Sequence, residues 1–186
     1  MFRAQLRGDK VYLQLLEERH APEVFSLVDR DRDYLREWLP WVDATVSQDD
    51  TLSFIRSTLE QFASQKGFVA GIWKEHQFCG VIGTHQLDRL NRKVEVGYWL
   101  GRAFQGQGIM TDACRAVVTH LLSGMGLNRV TIQCATGNQK SCAVPRRLGF
   151  AEEGLAREAQ ILDGRFHDLR RFAMLKKDWK PEPVGL

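Results

Sequence analysis

The sequence predicts an α/β fold in which helices pack on the faces of a single mixed sheet. Segments with alternating apolar and polar residues, typical of half-buried strands, are interleaved with segments whose apolar residues recur at helical spacing. Their order is strand, two helices, three strands, helix, strand, helix and two strands, which favours one layered α/β unit. The length of 186 residues suits one domain, with a core at about residues 10–178 and a flexible tail at 179–186.

The first strand and the first two helices are predicted from short-range signals. Apolar residues alternate with polar ones from Val11 to Leu15, as in a half-buried strand. Pro22 suits the beginning of a short helix that follows. Ser47 is expected to cap a second helix, and Gly67 is expected to end it.

The remaining strands are predicted from alternating or β-branched stretches between turn residues. Hairpin turns are expected at Glu75-His76 and at Asp163-Gly164. Gly97 lies inside a strand, where glycine often marks a bulge or the close approach of another backbone. With the first strand the expected total is about seven, the others being 68–74, 77–87, 94–100, 130–134, 150–161 and 166–176.

Two further helices bring the expected number to about four. Apolar residues share one face from Met110 to Leu122, and Gly124 is expected to end that helix. Asn138 is expected to cap a short helix that Gly149 ends.

The composition is that of an ordinary soluble globular protein, with 44% hydrophobic and 26% charged residues. A net charge of +3 without a basic stripe does not favour nucleic-acid binding. The four cysteines lie far apart, which disfavours zinc sites and disulfide frameworks, and no metal-ligand cluster is apparent. The beginning of the chain is charged, and no stretch reaches the ~18 apolar residues of a membrane span. A cytoplasmic protein without a membrane partner is expected.

Residues Gln105 to Thr111 form a glycine-rich loop that opens a predicted helix. Glycine lets the backbone approach a phosphate, and the first N–H groups of a helix have no internal partners, so this arrangement suits an anion. A Gly-x-Gly pair is weak evidence alone, because the third glycine of a Rossmann nucleotide fold is absent. A simple turn therefore stays an alternative at this point.

Several motifs, in order along about residues 10–178, resemble the GNAT superfamily of N-acetyltransferases. They are Glu95-Val96-Gly97-Tyr98-Trp99-Leu100, Phe104-Gln105-Gly106-Gln107-Gly108-Ile109-Met110, Asn138-x-x-Ser141 and Leu148-Gly149-Phe150. Within the superfamily, the Gly-Tyr-Trp-Leu and glycine-loop motifs are most similar to the ribosomal-protein-serine or alanine N-acetyltransferases. So is the late run Gly164-Arg165-Phe166-His167-Asp168.

The resemblance implies that acetyl-CoA is the cosubstrate and that no metal is needed. The sheet would splay open between the strand ending at Leu100 and the strand starting at Arg129, and the pantetheine arm would lie in that wedge. Backbone N–H groups of the glycine loop would hold the pyrophosphate, with help from the helix dipole. The expected cofactor-binding residues are Tyr98, Trp99, Leu100, Gln105, Gly106, Gln107, Gly108, Ile109, Met110, Thr111, Asn138 and Ser141.

The chain departs from the family pattern at two positions. Met110 stands where the loop usually ends in Gly or Ala, although this branch tolerates Met. Pro145 stands where many members place a tyrosine that protonates the leaving thiolate. Proline cannot donate a proton, and inside a helix it frees the carbonyl of Ser141. Ser141 is therefore the candidate acid, in a direct transfer without an acyl-enzyme.

The general base is less well defined. Glu95 could accept the amine's proton through a water, or it could be a surface carboxylate on the polar face of its strand. In the related branch a glutamate sometimes occupies the position of Gln160, which cannot act as a base. His85 and His167 are candidates because histidine titrates near neutral pH, but the favoured interpretation of each is a structural or substrate-binding residue.

The acceptor stays open at this level. Trp38 and Trp41 lie in a proline-interrupted loop and could line the acceptor site or only pack on the core. The favoured acceptor is the N-terminal amine of a protein such as a ribosomal protein, and the alternative is a polyamine, an aminoglycoside or a toxic peptide. A non-catalytic CoA-binding sensor is a third reading, because the tyrosine is missing. A homodimer is compatible with this branch.

Overall fold

The computed structural model describes residues 3–6 and 10–180, so Met1, Phe2, residues 7–9 and residues 181–186 of the predicted tail lie outside the described residues. Its strands form one eight-stranded sheet in the order β1-β2-β3-β4-β5-β6-β8-β7. The strands are β1 (Arg3–Gln5), β2 (Val11–Leu15), β3 (Val69–Lys74), β4 (Gln77–Asp88), β5 (Lys93–Leu100), β6 (Arg129–Ala135), β7 (Ala151–Leu162) and β8 (Arg165–Leu175). Among them only β5 and β6 pair in parallel, so the sheet is mixed, as predicted, and mostly antiparallel.

The described residues form five α-helices: α1 (Ala21–Arg30), α2 (Arg32–Leu35), α3 (Gln48–Ala63), α4 (Ile109–Thr119) and α5 (Gln139–Arg147). The additional helix, α2, is a single turn that begins just before the predicted loop. Ser47 caps α3 as predicted and forms a capping box with Asp50, but the helix ends at Ala63, before Gly67. A π-helical turn, His120–Gly124, continues α4.

The core extends beyond the predicted limits at both ends. Strand β1 pairs with β2, and the sequence did not predict it because three residues are too few to show a period. Leu6, which follows β1, is buried in the core. Trp179, expected in the flexible tail, is also buried, and its indole N–H donates to Thr119 Oγ1 at 3.2 Å.

Helices cover both faces of the sheet. Because side chains alternate along a strand, neighbouring residues of β4 face different layers: Ile82 packs in the cluster with α4 and α5, and Val81 packs in the cluster with α1 and α3. The helices α1 and α3 contribute Val24 and Ile55 to that second cluster.

The sheet splays at its centre, as the resemblance implies. Strands β5 and β6 pair only from Lys93 to Glu95, and β5 then continues to Leu100 paired with β4 alone. Gly97 marks no bulge, because the β4–β5 register runs through it without a shift; the irregularity lies after His85. The group that approaches Gly97 is a side chain, the His85 imidazole, rather than another backbone.

Candidate active site

A cleft of about 910 Å³ opens where β5 leaves β6. Its walls come from the end of β5, the glycine loop and the beginning of α5. Every predicted cofactor-binding residue except Gln107 lines it. The Gln107 side chain is engaged elsewhere, since it accepts from Lys74 Nζ at 2.7 Å and donates to the Ala103 carbonyl at 2.9 Å.

The glycine loop has a conformation that other residues rarely adopt. Gly106 and Gly108 have φ values of 71° and 79°. Gly108 is the N-cap of α4, and no side chain caps this helix end. The N–H groups of the first turn of α4 are therefore free of side-chain caps at the edge of the cleft, where the helix dipole favours an anion.

The charge of the cleft is positive. Arg102, Lys140 and Arg147 line it, and none of its described lining residues is an Asp or a Glu. Lys140 Nζ donates to Gln105 Oε1 at 2.9 Å, and Arg147 donates to Thr111 Oγ1 at 3.1 and 3.0 Å. These three cations were not predicted, because the sequence shows only basic residues scattered around the loop and α5. An uncapped helix end with three cations and no carboxylate fits the phosphates of a coenzyme A molecule.

A second cavity of about 450 Å³ meets the cleft. The two share lining residues at their junction, namely Trp38, Leu39, Tyr98, Trp99, Asn138 and Ser141. Its other walls are mostly apolar and come from α1, α3 and the sheet, with Val24, Phe54 and Val81 among them. This arrangement gives a second reactant its own route to the end of the cleft, and we call it the acceptor cavity.

A hydrogen bond joins Tyr98 to Ser141 at the junction, and Pro145 explains why the Ser141 carbonyl is available for it. Pro145 lies inside α5 and has no N–H to donate to the Ser141 carbonyl four residues earlier. The Tyr98 hydroxyl donates to that carbonyl instead, at 3.0 Å. Burial raises the pKa of Tyr98 well above its ordinary value, so the hydroxyl keeps its proton and remains a donor.

Ser141, the predicted acid, lines both the cleft and the acceptor cavity. Its N–H donates to Asn138 Oδ1 at 3.0 Å, so Asn138 caps α5 as predicted. The Ser141 hydroxyl lies 3.2 Å from Cys134 Sγ. Burial raises the pKa of the Cys134 thiol to about 12, so this sulfur is a neutral thiol at neutral pH.

The predicted tryptophans both line the acceptor cavity. Trp38 lies at the junction and packs against Gly137: a Cβ added to Gly137 would lie 3.4 Å from the Trp38 indole. Trp41 packs against Trp99, with ring centroids 5.9 Å apart. The proline-interrupted loop therefore forms one wall of the acceptor cavity.

The candidate bases are placed differently. Glu95 lines neither cavity, and its Oε2 accepts from Gln133 Nε2 at 2.6 Å. His85 lines the acceptor cavity, and so do Gln133 and Gln160. His167 lines neither cavity; it is the cross-strand partner of Gln160 in the β7–β8 hairpin.

No group of three or more His, Cys, Asp or Glu side chains in the described part of the chain could hold a metal ion. No helix in these residues is long and apolar enough to cross a membrane.

Comparison with known proteins is consistent with this geometry. Residues 10–151 match the acetyltransferase (GNAT) domain family. The chain is 38% identical over 176 residues to a putative ribosomal N-acetyltransferase, YdaF, of Bacillus subtilis (strain 168), covering 94% of this chain and 96% of the relative. It is 30% identical over 170 residues to a ribosomal-protein-serine acetyltransferase of Escherichia coli (strain K12), covering 90% and 94%.

A solved structure shows the same fold with the cofactor in place. It is the ribosomal L7/L12 α-N-protein acetyltransferase RimL in complex with coenzyme A, with a TM-score of 0.87 at 29% identity, covering 90% of this chain and 95% of that one. The family match spans most of the chain, and the cleft has the positive charge that the phosphates of coenzyme A need. The chain therefore belongs to the GNAT family and is an acetyl-CoA-dependent N-acetyltransferase.

Proposed function

We propose that the acceptor is the N-terminal α-amino group of a protein, of the kind carried by ribosomal proteins that begin with Ser or Ala. The observation that carries this proposal is the lack of charged side chains in the described lining of the acceptor cavity. Its described lining contains no Asp, Glu, Lys or Arg side chain. The walls are instead apolar and aromatic, with a few neutral polar groups.

A polyamine or an aminoglycoside would be poorly held in such a cavity. Each carries several positive charges, and a charge that leaves water without a partner is strongly disfavoured. A peptide N-terminus brings one amine, whose ordinary pKa of about 8 makes a neutral nitrogen accessible near neutral pH. A lysine side chain, with an ordinary pKa of about 10.4, would need more help to lose its proton.

The relatives support the same acceptor. The Escherichia coli relative is a ribosomal-protein-serine acetyltransferase, and the structural neighbour is an α-N-protein acetyltransferase of ribosomal L7/L12. By this likeness, the proposal includes a cytoplasmic protein and a homodimer. Sedimentation that shows only monomer across micromolar concentrations would remove the dimer.

Ser141 is proposed as the acid that protonates the leaving thiolate. Its hydroxyl is at the junction of cleft and cavity, and its backbone is held by Asn138 and Tyr98. The chemistry would then depend mainly on positioning the amine against the thioester, with acetyl transfer in one step. Ser141→Ala should lower kcat by a larger factor than it lowers the affinity for coenzyme A.

The test is a panel of acceptors with the purified protein and acetyl-CoA. Peptides that begin with Ser, Ala or a bulky residue, polyamines and aminoglycosides are compared by free-thiol release and by acceptor mass. One added acetyl group on the α-amine of Ser or Ala peptides is the expected result. Turnover confined to small amines would contradict the proposal, and tight coenzyme A binding without any turnover would favour a sensor.

A further inference from the structure

We propose that His85 is the general base that removes the proton from the acceptor amine. This inference rests on the proposed function, since it concerns the same acceptor cavity. It replaces Glu95, which the sequence suggested for this role and which lines neither cavity.

Few titratable groups line the described part of the acceptor cavity. In its described lining they are His85, Tyr98 and Cys134. Burial raises the pKa values of Tyr98 and Cys134, so both are protonated near neutral pH and neither can accept a proton there. Imidazole is the side chain that most readily exchanges a proton in this range. No other described lining residue has that capacity.

The fold directs the His85 side chain toward the acceptor cavity. A register shift follows His85 in the β4–β5 pairing, and Gln86 has a φ of 52°. His85 itself stays in register with Glu95, and it follows Val81 and Gly83 at two-residue spacing on the face of β4 that lines the cavity. On β5, Gly97 leaves room for the ring, because a Cβ there would lie 2.8 Å from His85 Nε2. The imidazole thus lies against the residue that precedes Tyr98, at the side of the junction.

The groups that face His85 come from the strands β5, β6 and β7 and from the helices α1 and α3. Glu95 is its direct cross-strand partner on β5, so both side chains lie on the same face of the sheet. Gln133 on β6 holds the Glu95 carboxylate at 2.6 Å, and Gln160 on β7 contributes a neutral amide to the cavity. The parts of α1 and α3 that line the cavity carry no charge. Glu95 therefore lies across from His85 with its carboxylate bound to Gln133, outside the described lining of the cavity.

The proposed step moves the acetyl group from the sulfur of the cofactor to the nitrogen of the acceptor. His85 takes a proton from the ammonium form of the α-amine, directly or through one water that can reach the exposed ring. The neutral nitrogen then forms a bond with the thioester carbonyl carbon and loses one further proton to solvent. The carbon–sulfur bond breaks, and its electron pair leaves with sulfur. Ser141 gives the sulfur a proton and regains one from solvent, and His85 releases its proton to solvent.

The experiment compares pH profiles of kcat/KM for a Ser-initiated peptide in the wild type, His85→Gln and His76→Gln. His76 is a matched control, since it is an exposed histidine in the turn that precedes the same strand. His85→Gln should lower kcat/KM about 100-fold near neutral pH. The deficit should narrow above about pH 9, where an α-amine is neutral without help. His76→Gln should follow the wild type.

A second variant separates catalysis from folding. Gly97→Ala keeps the imidazole but takes the space beside it, so it should change the pH profile in the same direction as His85→Gln. Both variants should bind coenzyme A with wild-type affinity, because neither residue lines the cleft. A pH profile of His85→Gln that overlays the wild type would overturn the base assignment alone. Absence of turnover by the wild type with every amine would overturn the proposed function as well.

Discussion

The hydrogen bond from Tyr98 to the Ser141 carbonyl should be a measurable part of the stability of the protein. Pro145 removes the helical donor that would otherwise serve this carbonyl, and the Tyr98 hydroxyl takes its place at 3.0 Å. Tyr98→Phe deletes only that hydroxyl and leaves the carbonyl without its partner in a partly buried position.

The expected cost follows from the unpaired carbonyl. Leaving a buried acceptor unsatisfied costs about 1–3 kcal/mol, more than the net worth of an ordinary hydrogen bond. For a chain of this size each kcal/mol corresponds to about 2–4 °C in Tm. A loss of about 2 kcal/mol should therefore lower Tm by about 4–8 °C.

The assay is urea unfolding, with thermal unfolding as a second measure, on a double-mutant cycle. Pro145→Ala restores an N–H that can donate to the Ser141 carbonyl, so it should recover most of the stability lost in Tyr98→Phe. In the wild-type background the same substitution should add little, because the carbonyl already has a donor. A coupling energy of about 1 kcal/mol is expected.

Two results would refute this reasoning. If Tyr98→Phe were as stable as the wild type, the hydroxyl would not be serving the carbonyl. If Pro145→Ala had equal effects in both backgrounds, the two sites would be independent. The KM for acetyl-CoA should rise in Tyr98→Phe, since α5 loses one of its anchors to β5 beside the cleft.

Other consequences of the structure can be measured on single variants or by changing pH. The Thr51 hydroxyl is buried without a hydrogen-bond partner, so Thr51→Val should raise the free energy of unfolding by about 1 kcal/mol in urea titrations; a loss would contradict this. Arg147→Gln should weaken coenzyme A binding at low salt and much less at high salt. Arg165→Gln, at the beginning of β8 and outside the cleft, should not weaken it at either salt concentration; calorimetry at two ionic strengths decides. The free energy of unfolding should fall above about pH 9, because the folded state keeps protons that unfolded thiols release. Each thiol contributes up to about 1.4 kcal/mol per pH unit. Urea midpoints that stay unchanged between about pH 8 and pH 10 would contradict this prediction. The thiols whose pKa burial raises, to about 11, 12 and 12, are Cys79, Cys114 and Cys134.

Local patterns sufficed where one element decides its own structure. The strand at Val11–Leu15 and the turn at Glu75-His76 follow from alternation and turn chemistry, which involve only neighbouring residues. The caps at Ser47 and Asn138 are equally local, because each satisfies N–H groups within the next turn. The short strand β1 was missed for the same reason, since its partner rather than its own period defines it.

The sequence by itself determined the family, the glycine loop before α4 and the exchange of a tyrosine for Pro145. Only the tertiary structure decided which side chains meet. The cleft brings Arg102, which follows β5, together with Lys140 and Arg147 of α5. Gly97 on β5 leaves room for the His85 ring beside the acceptor cavity, whereas Glu95 is bound to Gln133. Such contacts depend on strand register and on packing between distant segments, and neither is written in the spacing of residues along the chain.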